Sequence, residues 1–140
     1  MLATKESVTD ILGIKKAKSA IDYLRAIEQG LPVTSLERLT RQIAPKDVEF
    51  KYRLVAKATL ARRQKAKKLS PEESDRLSRL AEVWRSALDV WQSSEEARNF
   101  LNRPHPMLAG QTPMEVSLKT EVGARMVEDI LGRLKHGTAA

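Results

Sequence analysis

Residues 57–73 read KATLARRQKAKKLSPEE, a run of cations that leads directly into a strong helix-start signal. Six cations and no acid lie between Lys57 and Lys68. At about 100° per residue, Leu60 and Gln64 share one face of a helix, while Thr59 lies with two arginines on the other side. This pattern predicts a helix over 58–69 that packs by one side and offers a cationic side to a polyanion. The candidate polyanion-binding residues are Lys57, Thr59, Arg62, Arg63, Lys65, Lys67 and Lys68.

The segment Ser70-Pro71-Glu72-Glu73 has the pattern of a capping box. The Ser70 hydroxyl can accept from a free backbone amide, Pro71 needs no donor at the first helical position, and Glu73 can reach back. We expect this helix to run to about Trp91 with an apolar stripe of Leu77, Leu80, Ala81, Trp84, Leu88 and Trp91. Trp84, Leu88 and Trp91 are the candidate core of a dimer, and packing within one chain is the other interpretation.

The residues before the basic helix predict shorter elements. Residues 1–29 resemble a peripheral helical lead-in, whose helix over 19–29 is closed by Gly30. Ser35 is expected to cap a helix that places Leu36, Leu39 and Ile43 on one face and ends at Pro45. Residues 48–54 alternate strictly, as a strand does, but their apolar side chains also fit helical spacing. We predict a helix there, because the neighbouring elements are helical.

Three further polar residues mark helix starts in the remaining chain. Ser93 can open a short helix to about Leu101, and residues 102–111 are expected to form a loop. Thr112-Pro113-Met114-Glu115 is another capping box, and Thr120 opens a last helix that His136 and Gly137 close. The inward residues of that last helix are expected to be Val122, Met126 or Val127, Ile130 and Leu134. These patterns predict an all-α protein, with one module over 30–69 and another over 70–140.

The positive charge is concentrated in the first half of the chain. The protein has 140 residues and a net charge of +7. Residues 1–69 hold 16 Lys and Arg against 7 Asp and Glu, whereas residues 70–140 hold 9 against 11. This asymmetry indicates one part that binds a polyanion and another part with a different role.

Several functional classes lack support in the sequence. The absence of cysteine excludes disulfides and thiolate metal sites, and it fits a cytoplasmic protein. No apolar run is long enough for a membrane span, and the first residues do not resemble a signal peptide. His105 and His136 are isolated, which makes a poor metal site. With no catalytic or phosphate-loop motif, we predict a protein that is not an enzyme and needs no cofactor or metal.

The order of elements over 36–69 is helix, turn, helix, turn, basic helix. This is the order of a helix-turn-helix module, in which the last helix enters the major groove of duplex DNA. Arg can pair there with guanine and Lys can neutralise phosphate. Two alternatives stay open, a three-helix bundle with a basic exterior and an electrostatic RNA binder. The lack of clustered aromatic residues argues against stacking on single strands.

Six segments of the chain, in order, resemble the Xre/MbcA/ParS antitoxins, which are partners of RES-domain toxins. The resemblance covers about residues 30–140. It is carried by Gly30-Leu31-Pro32-Val33, Thr59-Leu60-Ala61-Arg62-Arg63, Leu69-Ser70-Pro71-Glu72-Glu73, Leu108-Ala109-Gly110-Gln111-Thr112-Pro113, Thr120-Glu121-Val122-Gly123-Ala124 and Leu131-Gly132-Arg133-Leu134-Lys135-His136-Gly137.

The resemblance implies an antitoxin of a type II toxin–antitoxin system. It implies an Xre-like helix-turn-helix over 30–69, a toxin-binding and dimerisation domain over 70–140, and a homodimer that binds operator DNA and represses its own operon. The implied partner is a RES-domain toxin that consumes NAD⁺ or uses it to modify proteins. The implied toxin-binding residues are Leu108, Gly110, Thr112, Arg133, Lys135, His136 and Gly137.

The sequence departs from the family pattern at two places. Val55-Ala56-Lys57 fills the turn where the family has a glycine, and Lys135 replaces an acid before His136. The alternative function is a stand-alone helix-turn-helix transcriptional regulator without a toxin partner. Residues 133–140 form a slim cationic end that we expect to inhibit a partner by occlusion, and a frayed end without a role is the other interpretation.

Overall fold

A computed structural model describes residues 7–137, which form helices and turns without a β-strand. The all-α prediction is confirmed. A bridge between Pro32 and Lys68 is the only β-type pairing among these residues. The α-helices of the described chain are α1 (Val8–Leu12), α2 (Ala20–Gln29), α3 (Val33–Ile43), α4 (Lys57–Ala66), α5 (Pro71–Trp91), α6 (Ser94–Leu101), α7 (Pro113–Lys119) and α8 (Glu121–Lys135).

The chain divides into two compact units inside α5. Unit 1 comprises residues 1–81 and unit 2 comprises residues 82–140. The sequence pattern predicts a boundary at residue 70, where α5 begins, and the structural division lies farther along the same helix.

Helix α1 lies in the core of unit 1 and packs against α3. Ile11 and Leu12 are fully buried, so this part of the predicted lead-in is not peripheral. The buried Ser35 hydroxyl donates to the Leu12 carbonyl at 2.6 Å. The expectation that Ser35 caps α3 is therefore wrong. The helix starts at Val33, directly after Pro32, and Ser35 binds the neighbouring helix instead.

Residues 48–54 form neither the predicted α-helix nor a strand. A short 3₁₀ helix covers Phe50–Arg53. The Asp47 carboxylate accepts from the Glu49 backbone N–H at 3.0 Å, and the Asp47 carbonyl accepts from the Phe50 N–H at 3.3 Å. These local bonds favour a turn over a regular helix. Phe50 and Leu54 are nonetheless buried, because the turn points both side chains into the core of unit 1.

Helix α4 ends at Ala66, earlier than the predicted end at residue 69. Lys67 adopts a left-handed conformation with φ of 63°, which ends the helix. The Leu69 N–H then donates to the Leu31 carbonyl at 2.9 Å. A Cβ on Gly30 would lie 2.3 Å from the Leu69 carbonyl oxygen, so the chain needs a glycine where these segments meet. Lys67 and Lys68 therefore lie on the returning segment and not on the helix.

Helix α5 begins as predicted and is joined to the rest of unit 1 by two buried serines. The predicted capping box is present, because the Glu73 N–H donates to the Ser70 hydroxyl at 3.1 Å and the Ser70 N–H donates to Glu73 Oε1 at 2.8 Å. Ser74 accepts from the Leu31 N–H at 2.7 Å, and Ser78 hydrogen-bonds to the Tyr23 hydroxyl.

Helices α7 and α8 pack against each other in unit 2. A Cβ on Gly123 would lie 2.2 Å from the Val116 carbonyl oxygen, so the crossing requires glycine at this position. The predicted helix starts at Ser93, Thr112 and Thr120 are confirmed by side-chain caps.

The inward face predicted for α8 is partly wrong. Val122 is 61% exposed and Met126 is 44% exposed, whereas Val127 and Ile130 are buried. The close crossing at Gly123 sets the rotation of α8, because it places Gly123 and Val127 against α7 and leaves Val122 outside.

Candidate DNA-binding and partner-binding surfaces

Helix α4 is anchored by Leu60, which is buried, and the remaining helix surface is largely exposed. Lys57, Arg62 and Lys65 are exposed, and Thr59 is half-buried. Within the described residues, none of the three cations forms an ion pair with a carboxylate. We call Lys57, Thr59, Arg62 and Lys65 the outer face of α4. Because no carboxylate of the described residues neutralises its charges, this surface is suited to bind phosphate and base edges.

Arg63 differs from its neighbour Arg62 because it is bound within the protein. Its Nε lies 2.8 Å from Glu73 Oε1, and its Nη2 lies 3.2 Å from Glu73 Oε2. This two-point geometry is the strong form of an arginine–carboxylate pair. Arg63 therefore joins α4 to the start of α5 and does not lie among the unpaired cations of the outer face.

The environment of Glu73 favours its charged form. Burial by itself would raise the pKa of the Glu73 carboxyl, but the hydrogen bonds from Arg63 and from the Ser70 N–H, with the Arg63 charge, hold that pKa below its ordinary value. The hydrogen bond to Glu73 in turn raises the pKa of Arg63. Glu73 is therefore both half of the α5 capping box and the partner of α4.

In unit 2, two of the three predicted partner-binding residues in the 108–112 loop stabilise the fold of the unit itself. Leu108 is buried, and the Thr112 hydroxyl caps α7 by accepting from the Glu115 N–H at 3.1 Å. Gly110 is exposed, with φ of 81°. Of these three residues, only Gly110 offers its surface freely to a partner.

The end of α8 holds the more accessible candidates. Arg133, His136 and Gly137 are exposed. Lys135 is 44% exposed and forms an ion pair with Asp89 of α5, whose side chain is only 15% exposed. This ion pair joins the last turn of α8 to α5 within unit 2. The part of the cationic end over 138–140 lies outside the described residues.

The three candidate dimer residues lie in different environments. Trp84 is fully buried in the single chain, beneath the Arg98 guanidinium at 6.0 Å. Leu88 is half-buried, and Trp91 is 36% exposed and lies 5.9 Å from the Phe100 ring. Only Leu88 and Trp91 therefore keep surface that a second copy could cover.

Two features of these surfaces are not predicted by the sequence patterns. One is the Arg63–Glu73 pair, for which the sequence carries only a capping-box glutamate and a nearby cation. The other is an open apolar groove of about 350 Å³ in unit 2, lined in part by Met107, Val122 and Met126. The signal that could have revealed the groove is in α8, which has more apolar residues than one helix face can bury.

No helix in the described range 7–137 is long and apolar enough to cross a membrane. The same residues contain no group of three or more His, Asp or Glu side chains that could hold a metal ion. His105 has a local structural role instead. Its Nδ1 accepts from the Met107 N–H at 3.1 Å and so stabilises a 3₁₀ turn at Pro106–Leu108.

In unit 1, a turn anchored by the buried side chains of Phe50 and Leu54 precedes the cationic helix α4, which is the arrangement of the helix-turn-helix class. Comparison of the whole sequence with known families agrees with this assignment. The profile of the antitoxin Xre-like helix-turn-helix domain matches residues 22–82. The profile of the antitoxin Xre/MbcA/ParS C-terminal toxin-binding domain matches residues 86–137.

Three curated relatives carry the name Antitoxin Xre. The protein from Photorhabdus laumondii is 31% identical over 119 residues, which are 82% of this chain and 80% of the relative. The protein from Pseudomonas putida is 28% identical over 127 residues, 91% of this chain and 79% of the relative. The protein from Yersinia enterocolitica is 35% identical over 71 residues, which are 50% of this chain and 47% of the relative.

The chain belongs to the Xre/MbcA/ParS antitoxin family. The predicted resemblance is confirmed, as is the order of a helix-turn-helix domain followed by a C-terminal toxin-binding domain. The protein is therefore an antitoxin of a toxin–antitoxin system, with DNA and a toxin as its two kinds of partner.

The Glu73 pair predicts a pH-dependent contribution to stability. Because the folded-state pKa of Glu73 is lowered, its contribution is fully present above the ordinary carboxyl pKa and is lost as the pH falls through the lowered value. We expect Glu73→Gln to lower the urea midpoint at neutral pH, followed by circular dichroism, and to differ less from the native chain as the pH approaches 3. The control is Glu72→Gln, at an exposed neighbour. Equal midpoints for the native chain and both variants at every pH would contradict this account.

Proposed function

We propose that this antitoxin neutralises a RES-domain, NAD⁺-consuming toxin by direct binding and represses its own operon as a homodimer. The observation that carries the proposal is the coexistence of two surfaces in one chain. Unit 1 carries the unpaired cations of the α4 outer face, and unit 2 matches a toxin-binding domain. The absence of known catalytic activity in the family favours action by binding alone.

In the DNA-binding part of the proposal, α4 lies in the major groove with its outer face toward the bases. Arg62 would pair with a guanine edge, and Lys57 and Lys65 would neutralise phosphates; the exposure of all three on α4 supports these roles. Arg63 is assigned a positioning role because Glu73 already occupies its guanidinium. Lys67 and Lys68 are exposed beyond the end of α4, where they can contact the backbone of the duplex.

In the toxin-binding part, the end of α8 blocks the active-site cleft of the toxin. Arg133 and His136 supply an exposed, polar and narrow end, and Gly110 supplies an exposed turn in the same unit. Lys135 holds this end against α5 through Asp89, so its role is to orient the end and not to contact the toxin. A cationic end can pair with acidic groups beside the cleft and obstruct entry of the dinucleotide.

Homodimerisation is the third part of the proposal. Leu88 and Trp91 are the members of the predicted dimer set that keep accessible surface, and aromatic side chains of this kind often anchor interfaces. A twofold dimer would present two α4 helices to two half-sites of an operator. The stand-alone regulator is the weaker alternative, since it leaves the match over 86–137 without a function.

Arg62→Ala is expected to weaken binding of the operator duplex by about 1–3 kcal/mol, the usual cost of removing a bidentate base contact. The same change should reduce the preference for operator over unrelated DNA, measured by gel shift at fixed salt. Arg103→Ala in unit 2 removes an equal charge from another exposed arginine and should bind as the native chain does. Full operator preference in Arg62→Ala would contradict the assignment of Arg62 to base recognition.

A charge exchange separates orientation by Lys135 from direct toxin contact. Lys135→Asp and Asp89→Lys should each reduce protection of cells that coexpress the RES-domain toxin of the same operon, because each places like charges together. The double variant should restore protection by re-forming the pair. The control exchanges Glu121 and Arg125, an exposed pair 3.8 Å apart in α8, which should leave protection unchanged.

Failure of the double variant to restore protection, with both single variants folded, would show that Lys135 itself contacts the toxin. Failure of the native chain to protect cells would contradict the wider proposal.

A further inference from the structure

An open groove of about 600 Å³ lies in unit 1 between the turn after α1 and the side of α2. Its charged lining residues are Lys15, Lys16, Asp22, Arg25 and Lys68. We call this surface the basic groove. It is formed by elements other than the outer face of α4, and Lys15 and Lys16 precede the segment that matches the helix-turn-helix profile.

The basic groove has a large excess of unpaired positive charge. Within the part of the chain that the structure describes, Lys15, Lys16, Arg25 and Lys68 form no ion pair with a carboxylate. The single acid, Asp22, already accepts from the Lys18 backbone N–H at 3.3 Å. Four cations that share a concave surface raise the local potential and attract anions more strongly than the same charges would on a convex surface.

The backbone that carries these cations is ordered by hydrogen bonds. The Ile14 N–H donates to the Thr9 carbonyl at 2.9 Å, and the Ala17 N–H donates to the Ile14 carbonyl at 3.1 Å, so the turn with Lys15 and Lys16 is closed on itself. On the opposite side, the bridge to Pro32 holds Lys68. The groove is therefore a built feature of unit 1 and not a chance meeting of long side chains.

The groove adjoins the C-terminal end of α4 through Lys68. Only Lys67 separates Lys68 from the last residue of the helix, so the cations of α4 continue into the groove along the chain. Three of the four groove cations are lysines, whose ammonium groups act on phosphates as point charges and lack the fixed two-point geometry of an arginine base contact. The chemistry of the groove therefore suits the sugar–phosphate backbone of a nucleic acid.

We propose that the basic groove binds backbone phosphates of duplex DNA that flanks the bases contacted by α4. This inference rests on the proposed DNA-binding role of α4 and extends it to other elements of unit 1, including Lys15 and Lys16, which precede the helix-turn-helix profile. The groove would add affinity that does not depend on sequence, whereas Arg62 would supply the preference for the operator.

The test compares the salt dependence of DNA binding by full-length variants. Lys15→Gln, Lys16→Gln and Arg25→Gln are combined in one chain and titrated by fluorescence anisotropy with the operator and with an unrelated duplex, from about 50 to 200 mM salt. The slope of log affinity against log salt should become shallower by about 0.9 for each phosphate that the variant no longer neutralises. Affinity for both duplexes should fall by the same factor, so that the operator preference is kept.

The control combines Arg103→Gln, Lys119→Gln and Arg125→Gln, which removes the same charge from exposed positions of unit 2. This control should keep the native slope, and circular dichroism should show native helix content in both triple variants. A groove variant with the slope and affinities of the control would overturn the proposal and leave the role of α4 intact. If the native chain binds neither duplex, the DNA-binding part of the proposed function fails as well.

Discussion

The carboxylate of Glu73 is the point on which the arrangement of unit 1 depends. It binds the Arg63 guanidinium at two points and accepts from the Ser70 N–H that opens α5. One side chain thus connects the cationic helix to the start of the next helix. Arg63 is held by this pair, whereas its neighbour Arg62 is exposed and forms no ion pair with a carboxylate of the described residues. The proposed DNA-binding surface therefore depends both on the cation that Glu73 neutralises and on the outer-face cations, which form no ion pair with a carboxylate among residues 7–137.

A second constraint acts where α4 ends. The left-handed Lys67 and the contact between Gly30 and Leu69 return the chain toward the start of α3. The Leu31 N–H also donates to Ser74 of α5, so the segment between α2 and α3 is held from two sides. These contacts determine where Lys68 lies. Because Lys68 follows α4 closely in the chain and lines the basic groove, the two cationic surfaces are neighbours along the chain. Unit 2 has its own constraint in the Gly123 crossing, which decides the apolar residues of α8 that stay exposed.

Local signals predicted the helices of this protein better than they predicted its surfaces. Each capping box, at Ser70 and at Thr112, depends on two residues three positions apart in the sequence, and the structure confirms both helix starts. The helix predicted over 48–54 is wrong because Asp47 hydrogen-bonds to the following backbone, and hydrophobic periodicity carries no information on such bonds. The cap predicted at Ser35 is wrong because the Ser35 hydroxyl binds the Leu12 carbonyl of another helix. Charge counting located the basic segment, but it could not tell Arg63 from Arg62, since the partner of Arg63 lies on a different element.

The central proposal is that Arg62 contacts the bases of DNA while Arg63 stays bound to Glu73. Nitrogen-15 spectra of the arginine Nε–H groups in the full-length protein measure this most directly, with resonances assigned through Arg62→Lys and Arg63→Lys. On addition of operator duplex, the account predicts a large shift of the Arg62 signal and an almost unchanged Arg63 signal, because its Nε–H is already donated to Glu73. A large shift of Arg63 with no change at Arg62 would contradict the account.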